Sequence, residues 1–387
     1  MNSPCPAPFD RGFRGQHRRV GPASHPSCEG HSKRVSRFRS VQTTFPWSWY
    51  ADAEVLRREQ DRIFRGAWQY VAHLGELEEP GRFVARRVGE VPLVLVRDRE
   101  GDLQAFANVC RHRGARVAKG DGKRETLQCG YHAWTYGLDG SLLAAPRSDR
   151  EAGFDTAELS LLPAQVGTWG PFVFANPDPD APRLDETLRD LPALVASAGV
   201  EVGALEFRRR SEWTVEANWK LVCENFLECY HCPVLHPGFS ALVDVAPDAY
   251  RLEVGETFSS QFGELRERGR SPYEVDGEVR RSQFHFIWPN TGINIFPGRS
   301  NFSIGPMLPA SPGRTDRLLD YFFAPDADAE WERELIAFDD EIGRQDTELV
   351  EDVQRGVAAG IVERGRLLEE SEQLVLDFQR RVAQALS

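Results

Sequence analysis

Two short runs place a thiol and an imidazole side by side, Cys110-Arg-His112 and Cys129-Gly-Tyr-His132. Each supplies one thiolate and one imidazole, so together they offer two ligand pairs to two metal ions. A [2Fe–2S] cluster with two Cys on one iron and two His on the other needs that set, and neutral imidazole ligation lifts its potential to roughly −150 to +300 mV. Zinc is the rival, because Cys2His2 is also a zinc set. Zinc modules usually pair like ligands, C-x2–4-C and then H-x3–5-H, whereas here each run carries one of each type and Cys-x-His is unusually tight. Gly114, Ala115 and Gly130 are small where backbone amides must approach sulfur.

A second constellation lies in residues 218–237, which concentrate Glu224, Glu228, His231 and His236. A non-haem iron(II) centre that activates O2 takes two His and one carboxylate on one face and leaves positions open. Imidazoles five residues apart point about 140° apart on a regular helix, so they share a metal only if the helix breaks between them. Pro233 and Pro237 sit where that break would be made. For the third ligand, Glu228 stands three residues before His231 on the same helical face and could bind directly. A C-terminal pattern offers the better-placed carboxylate. Leu335, Ile342, Leu349 and Val353 recur at helical spacing with Asp346 inside the stripe, and a carboxylate on a buried face is costly unless paired or metal-bound. Asp339 shares the stripe, but Phe338 can fill its slot toward the core. Cys223, Cys229 and Cys232 crowd this site; lacking a second Cys-x2-Cys pair nearby, they read as buried free thiols of a reducing cytoplasm.

The elements that must position these groups follow from pattern. The chain has 387 residues, enough for two or three domains with sizeable cores. Its formal charge of −12 argues against nucleic acid or an anionic membrane as the main partner. No apolar stretch approaches the length of a bilayer span. Residues 1–44 are rich in Pro, Ser, Gly and Arg, with eight basic residues against Asp10 and Glu29, and are expected to be a disordered basic tail. Residues 45–67 contain a short amphipathic helix over 52–64. Residues 68–182 look all-β, with hairpin signals at 97–102 and 137–140 and with both Cys/His runs on hairpin tips. Residues 183–387 add a helical stretch near 188–198, a helix from Asn218, strands at 205–215, 250–262, 283–287, 292–296, 300–306 and 316–323, and closing helices over 327–357 and 366–386. The expected class is α+β.

On these motifs the sequence resembles the catalytic α-subunits of the Rieske non-haem iron oxygenases, the ring-hydroxylating family, from Phe45 to its end. The resemblance implies an all-β Rieske [2Fe–2S] domain and a catalytic domain of helix-grip kind, with helices packed on an antiparallel sheet. It implies Cys110, His112, Cys129 and His132 as cluster ligands and His231, His236 and Asp346 as ligands of a mononuclear Fe(II). Glu228 matches the acidic residue that bridges one subunit's iron histidine to the neighbour's cluster histidine, here His231 and His132, which implies a homotrimer. Many relatives carry Asp at the bridge, so Glu228 departs by one methylene. Glu228-Cys-Tyr-His-Cys and His236-Pro-Gly-Phe look most like the branch acting on carnitine, glycine betaine and choline.

The expected activity is therefore hydroxylation of a C–H bond in an N-methylated or quaternary amine, giving N-demethylation or C–N cleavage. O2 is the oxidant. No dinucleotide fingerprint is present, so the electrons come from a separate NAD(P)H-dependent reductase, directly or through a ferredoxin. Asn225, Phe284, Phe286, Trp288 and Phe296 are the candidate pocket, since aromatic faces hold a quaternary ammonium by cation–π attraction, though they hold an aromatic ring as well. Two alternatives stay open: ring hydroxylation or O-demethylation of an aromatic acid, and a Rieske electron-transfer or ligand-binding protein without a working iron site.

Overall fold

The computed structural model describes residues 42–387, so the tail expected over 1–44 lies outside the described residues except for its last three. Asp52 caps α1 (Ala53–Arg62) by accepting from the Glu54 N–H, and Val55 and Leu56 bury its apolar side. Ten strands follow: β1 (Gln69–His73), β2 (Arg82–Val88), β3 (Val91–Arg97), β4 (Leu103–Ala107), β5 (Asp121–Lys123), β6 (Leu127–Gln128), β7 (Thr135–Tyr136), β8 (Leu142–Ala144), β9 (Pro163–Trp169) and β10 (Phe172–Asn176). Seven form an antiparallel sheet in the order β1-β10-β9-β4-β3-β2-β5, and β6-β7-β8 form a small second one. The unbroken apolar run of β3 has a reason in packing. Leu93 and Leu95 face one core with Val71 and Val173, while Val94 and Val96 face another with Phe106 and Tyr136. The Cys129–His132 loop joins the paired strands β6 and β7 as expected, but the Cys110–His112 loop does not cap a hairpin. Its flanking strands pair elsewhere, β4 with β3 and β9, and β5 with β2.

After the short helices α2 (Leu184–Leu188) and α3 (Leu191–Ser197), the chain enters a second antiparallel sheet. It comprises β11 (Glu206–Val215), β12 (Arg251–Val254), β13 (Phe258–Glu264), β14 (Arg281–Ile287), β15 (Thr291–Ile295), β16 (Asn301–Ser311) and β17 (Arg314–Phe323), in the order β11-β17-β16-β15-β14-β13-β12. At Gly305 the neighbouring strand comes so near that a Cβ would sit 1.7 Å from the Leu318 carbonyl oxygen. Ile287, Ile293, Ile304 and Phe322 bury one face of this sheet against Tyr70 and Phe174 of the first sheet and Leu191 and Val195 of α3. The described residues 42–387 thereby cohere as one unit.

The other face carries the helices. α4 (Trp219–Phe226) and two single-turn helices, α5 (Cys232–Leu235) and α6 (Pro237–Leu242), precede the long α7 (Ala329–Ala358) and the closing α8 (Gln373–Leu386). α8 starts later than the periodicity of 366–386 predicts, because Arg366 bridges to Thr43 as extended backbone and the Glu372 carboxylate takes the Leu368 N–H. A fully buried ion pair, Lys220 to Glu59 at 2.7 Å, ties α4 to α1, and Trp219 Nε1 donates to the same carboxylate at 2.8 Å.

Candidate metal centres

The local sequence breaks the helix where the two imidazoles need it broken. α4 is capped by the Asn218 side chain, whose backbone N–H donates to Gln354 of α7 at 2.8 Å, and it stops at Phe226. Glu228 therefore does not share a helix with His231, contrary to the spacing argument. It lies in the following turn, its carboxylate accepting the Tyr230 N–H and the His231 N–H. Pro233 and Pro237 occupy the first turns of α5 and α6, leaving His231 just before α5 and His236 at the junction of the two, with φ −114° and ψ 71°.

That break turns both imidazoles toward α7. His236 Nε2 lies 2.9 Å from Asp346 Oδ1, His231 Nε2 lies 3.5 Å from the same oxygen, and the two Nε2 atoms are 3.2 Å apart. Among the described residues, these three form the group of His, Cys, Asp and Glu whose ligand atoms all fall within 4.8 Å of one another. Two ring nitrogens and a carboxylate oxygen converge on one point, and two His with one carboxylate is a donor set that suits ferrous iron once the rings are deprotonated. The outer nitrogens are also held. His231 Nδ1 contacts the Glu228 carboxylate, His236 Nδ1 meets Gln345 Oε1 at 2.7 Å, and Asn225 Nδ2 donates to Asp346 Oδ1 at 3.2 Å. Burial lowers the His231 pKa, but the Asp346 and Glu228 carboxylates overcome it and raise it to about 9. Burial likewise works to raise Asp346, yet hydrogen bonds from His231 and His236 bring it to about 2.

Glu224 turns away from this point, held by Tyr50 Oη at 2.9 Å and Gln379 Nε2 at 3.0 Å. The three cysteines divide. Cys223 is a buried free thiol as expected, whereas Cys229 and Cys232 form a disulfide, because the turn into α5 sets their Cα atoms 5.0 Å apart. Gln345 was not among the sequence candidates. Its neighbour Asp346 marks the segment, but nothing in the pattern says that its side chain returns to His236.

The cluster loops are shaped by tight backbone turns. Cys110 accepts from the Gly114 N–H at 3.0 Å, with Gly114 at φ 76°, and Cys129 accepts from the Ala133 N–H at 3.1 Å. Both thiols are buried and both imidazoles exposed, with the His112 and His132 rings 4.7 Å apart and Trp134 stacked on His112. Tyr136 Oη lies 3.3 Å from Cys110 Sγ and accepts the Arg111 N–H at 3.0 Å. Buried sulfur and outward imidazoles suit a mixed-ligand cluster exposed on its histidine side.

A cavity of about 620 Å³ opens onto the His231, His236 and Asp346 point. Of the expected pocket residues, Asn225, Phe284 and Phe296 line it, together with Trp213, Phe226 and Phe239, which the sequence did not single out. Phe286 and Trp288 do not. They share the face of Phe284 but lie farther along the strand, beneath α8, with ring centroids 5.9 and 5.7 Å from Phe378.

Residues 67–163 match the Rieske [2Fe-2S] domain family, and residues 203–387 match the ring hydroxylating alpha subunit catalytic domain family. The carnitine monooxygenase oxygenase subunit of Acinetobacter pittii (strain PHEA-2) is 33% identical over 355 residues, covering 89% of this chain and 95% of the relative. The chloroplastic choline monooxygenase of Arabidopsis thaliana is 33% identical over 341 residues, covering 84% and 78%. A solved quaternary ammonium Rieske monooxygenase in complex with L-carnitine is 30% identical over 90% of this chain and 96% of its own, with a TM-score of 0.77. Naphthalene 1,2-dioxygenase from Rhodococcus sp., 21% identical with a TM-score of 0.75 over 89% and 94%, shares the fold.

Proposed function

Since the chain belongs to the Rieske non-haem iron oxygenases, as a catalytic α-subunit related to the carnitine and choline monooxygenases, we propose that it hydroxylates a C–H bond beside nitrogen in an N-methylated or quaternary amine. The observation that carries this reading is the convergence of His231, His236 and Asp346 on one point at the wall of a large aromatic cavity. A Rieske cluster and a mononuclear iron are the cofactors; when bound, the cluster passes single electrons and the ferrous ion activates O2. One oxygen atom enters the product and the other leaves as water with two electrons and two protons. The resulting carbinolamine collapses to an aldehyde and the dealkylated amine.

In this reading Cys110, Cys129, His112 and His132 hold the cluster, and His231, His236 and Asp346 hold the iron. Asn225 and Gln345 orient Asp346 and His236. Glu228 fixes the tautomer of His231 by taking its Nδ1 proton in a hydrogen bond, and serves as the link toward the neighbouring subunit's cluster. Phe226, Phe239, Phe284 and Phe296 line the cavity and exclude water, and aromatic walls of this kind hold a trimethylammonium group by cation–π attraction.

The chain acts as a homotrimer in the cytoplasm and draws on a separate reductase. Large side chains left bare beside both ends of the proposed bridge support the assembly: Tyr131 next to His132 is 55% exposed, Tyr230 next to Glu228 63%, and Val234 88%. No described helix is long and apolar enough to cross a membrane.

The test is metal counting joined to O2 uptake. Reconstituted protein is expected to hold three irons and two acid-labile sulfides per chain and to consume O2 when a quaternary amine and a donor reductase are both supplied. His231→Ala with His236→Ala should lose one iron and all turnover while the cluster remains. Unchanged iron content in that double variant refutes the assignment.

A further inference from the structure

One charged side chain in the cavity has no counterpart in the chemistry described so far. Arg317, on β17, alternates into the cavity with Leu319 and Tyr321 and lies across from Trp213 of β11, its guanidinium carbon 5.2 Å from the indole centroid. Among the described residues it makes neither a hydrogen bond nor an ion pair, and its Nε is buried without a partner. Arginine stays charged inside proteins and carries five donors in a fixed fork, so a guanidinium left without an anionic partner in a cavity wall is costly until a ligand supplies one.

A carboxyl group on the same wall is not used as its counter-ion. Asp339 of α7 lines the same cavity, yet no atom of it comes within ion-pair distance of Arg317, and its Oδ2 is buried without a partner. Burial pushes its carboxyl up to about 7. Asp339 stands seven residues before Asp346, two turns or about 10 Å along the same face of α7. The cavity therefore holds a guanidinium that no carboxylate pairs, beside aromatic walls that suit an onium ion.

We propose that this cavity takes a zwitterion, with the Arg317 guanidinium pairing a substrate carboxylate while the onium end lies against the aromatic wall. The substrate class is then the betaines and N-methylated amino acids, not cationic alcohols such as choline. This rests on the amine reading given above and goes beyond it, because the relatives include enzymes named for a carboxylated and for a hydroxylated quaternary amine. A planar fork can take both carboxylate oxygens at once, which an alcohol cannot offer. Arg317 is a specificity-determining residue in this account, not a metal ligand.

The experiment is anaerobic calorimetric titration of the iron-loaded chain, without reductase, by γ-butyrobetaine, its methyl ester, choline and benzoate. The wild type is expected to bind γ-butyrobetaine about 100-fold more tightly than the ester or choline. Arg317→Gln should erase that difference by weakening the betaine alone, and Arg317→Lys should recover part of it, with iron content and the cluster's visible spectrum unchanged in both. Equal binding of betaine, ester and choline by the wild type overturns the inference and leaves the amine reading standing. So does a preference that survives Arg317→Gln. Benzoate binding more tightly than any quaternary amine overturns both.

Discussion

Metal uptake at the mononuclear site should release a proton, by an amount the structure sets. His231 has an ordinary value of 6.5 and is raised to about 9 in the metal-free chain, with burial opposing and the Asp346 and Glu228 carboxylates prevailing. The difference is worth about 3 kcal/mol. At pH 7 the ring is then about 0.99 protonated, against about 0.24 for an unperturbed histidine. Iron binds the neutral ring, so that proton must leave. A group raised on folding stabilises fully below its unfolded value and loses that contribution as pH climbs to the folded one. Metal-free protein should therefore lose stability from pH 6.5 to 9, while apparent metal affinity rises about tenfold per pH unit over the same window. The assay is titration of cobalt(II) into cluster-bearing protein stripped of its mononuclear ion, in buffers of different ionisation enthalpy, which yields protons released per ion. About one or more at pH 7 is expected, with less for Glu228→Gln because one raising carboxylate is gone. Release below about half a proton, or an affinity flat from pH 6.5 to 9, would refute the electrostatic account of the triad.

Glu228→Gln should also keep three irons per chain and both metal spectra while turnover drops about 10- to 100-fold, read as slow oxidation of a pre-reduced cluster on adding substrate and O2; normal cluster oxidation contradicts the bridge. Gln345→Leu should weaken iron binding about 10-fold or more by freeing the His236 ring, measured by chelator competition, and unchanged affinity removes Gln345 from the site. Lys220→Met strands the buried Glu59 carboxylate and should cost about 3–5 kcal/mol in denaturant unfolding, with Glu59→Gln on top recovering part. A loss under 1 kcal/mol would mean that Glu59 finds another partner.

The disulfide and the lower cavity illustrate where pattern reading stops. Free thiols were expected at Cys229 and Cys232 because spacing alone does not say how the chain bends after α4, and the turn that places Glu228 on two backbone amides also brings the two sulfurs together. Phe286 and Trp288 obey the strand alternation that grouped them with Phe284, yet alternation fixes only a face. Which part of that face stays open depends on where α8 comes to rest. Arg317 was not among the sequence candidates, and its lack of an anionic partner is a property of everything around it.

What the sequence determined by itself is local: the two Cys/His runs, the prolines that force His231 and His236 out of one helix, the Asn218 and Asp52 caps, and the alternation that makes strands of 205–215 and 316–323. These follow from backbone sterics and from hydrogen bonds a few residues long. The tertiary structure alone decided that Asp346 reaches His236 across 110 positions of chain, that Gln345 and Asn225 steady that pair, and that a cavity remains beside it with an unpaired guanidinium in its wall. Such relations arise from packing two sheets and a long helix on one another, a global minimum of buried area and satisfied polar groups that no window of neighbouring residues contains.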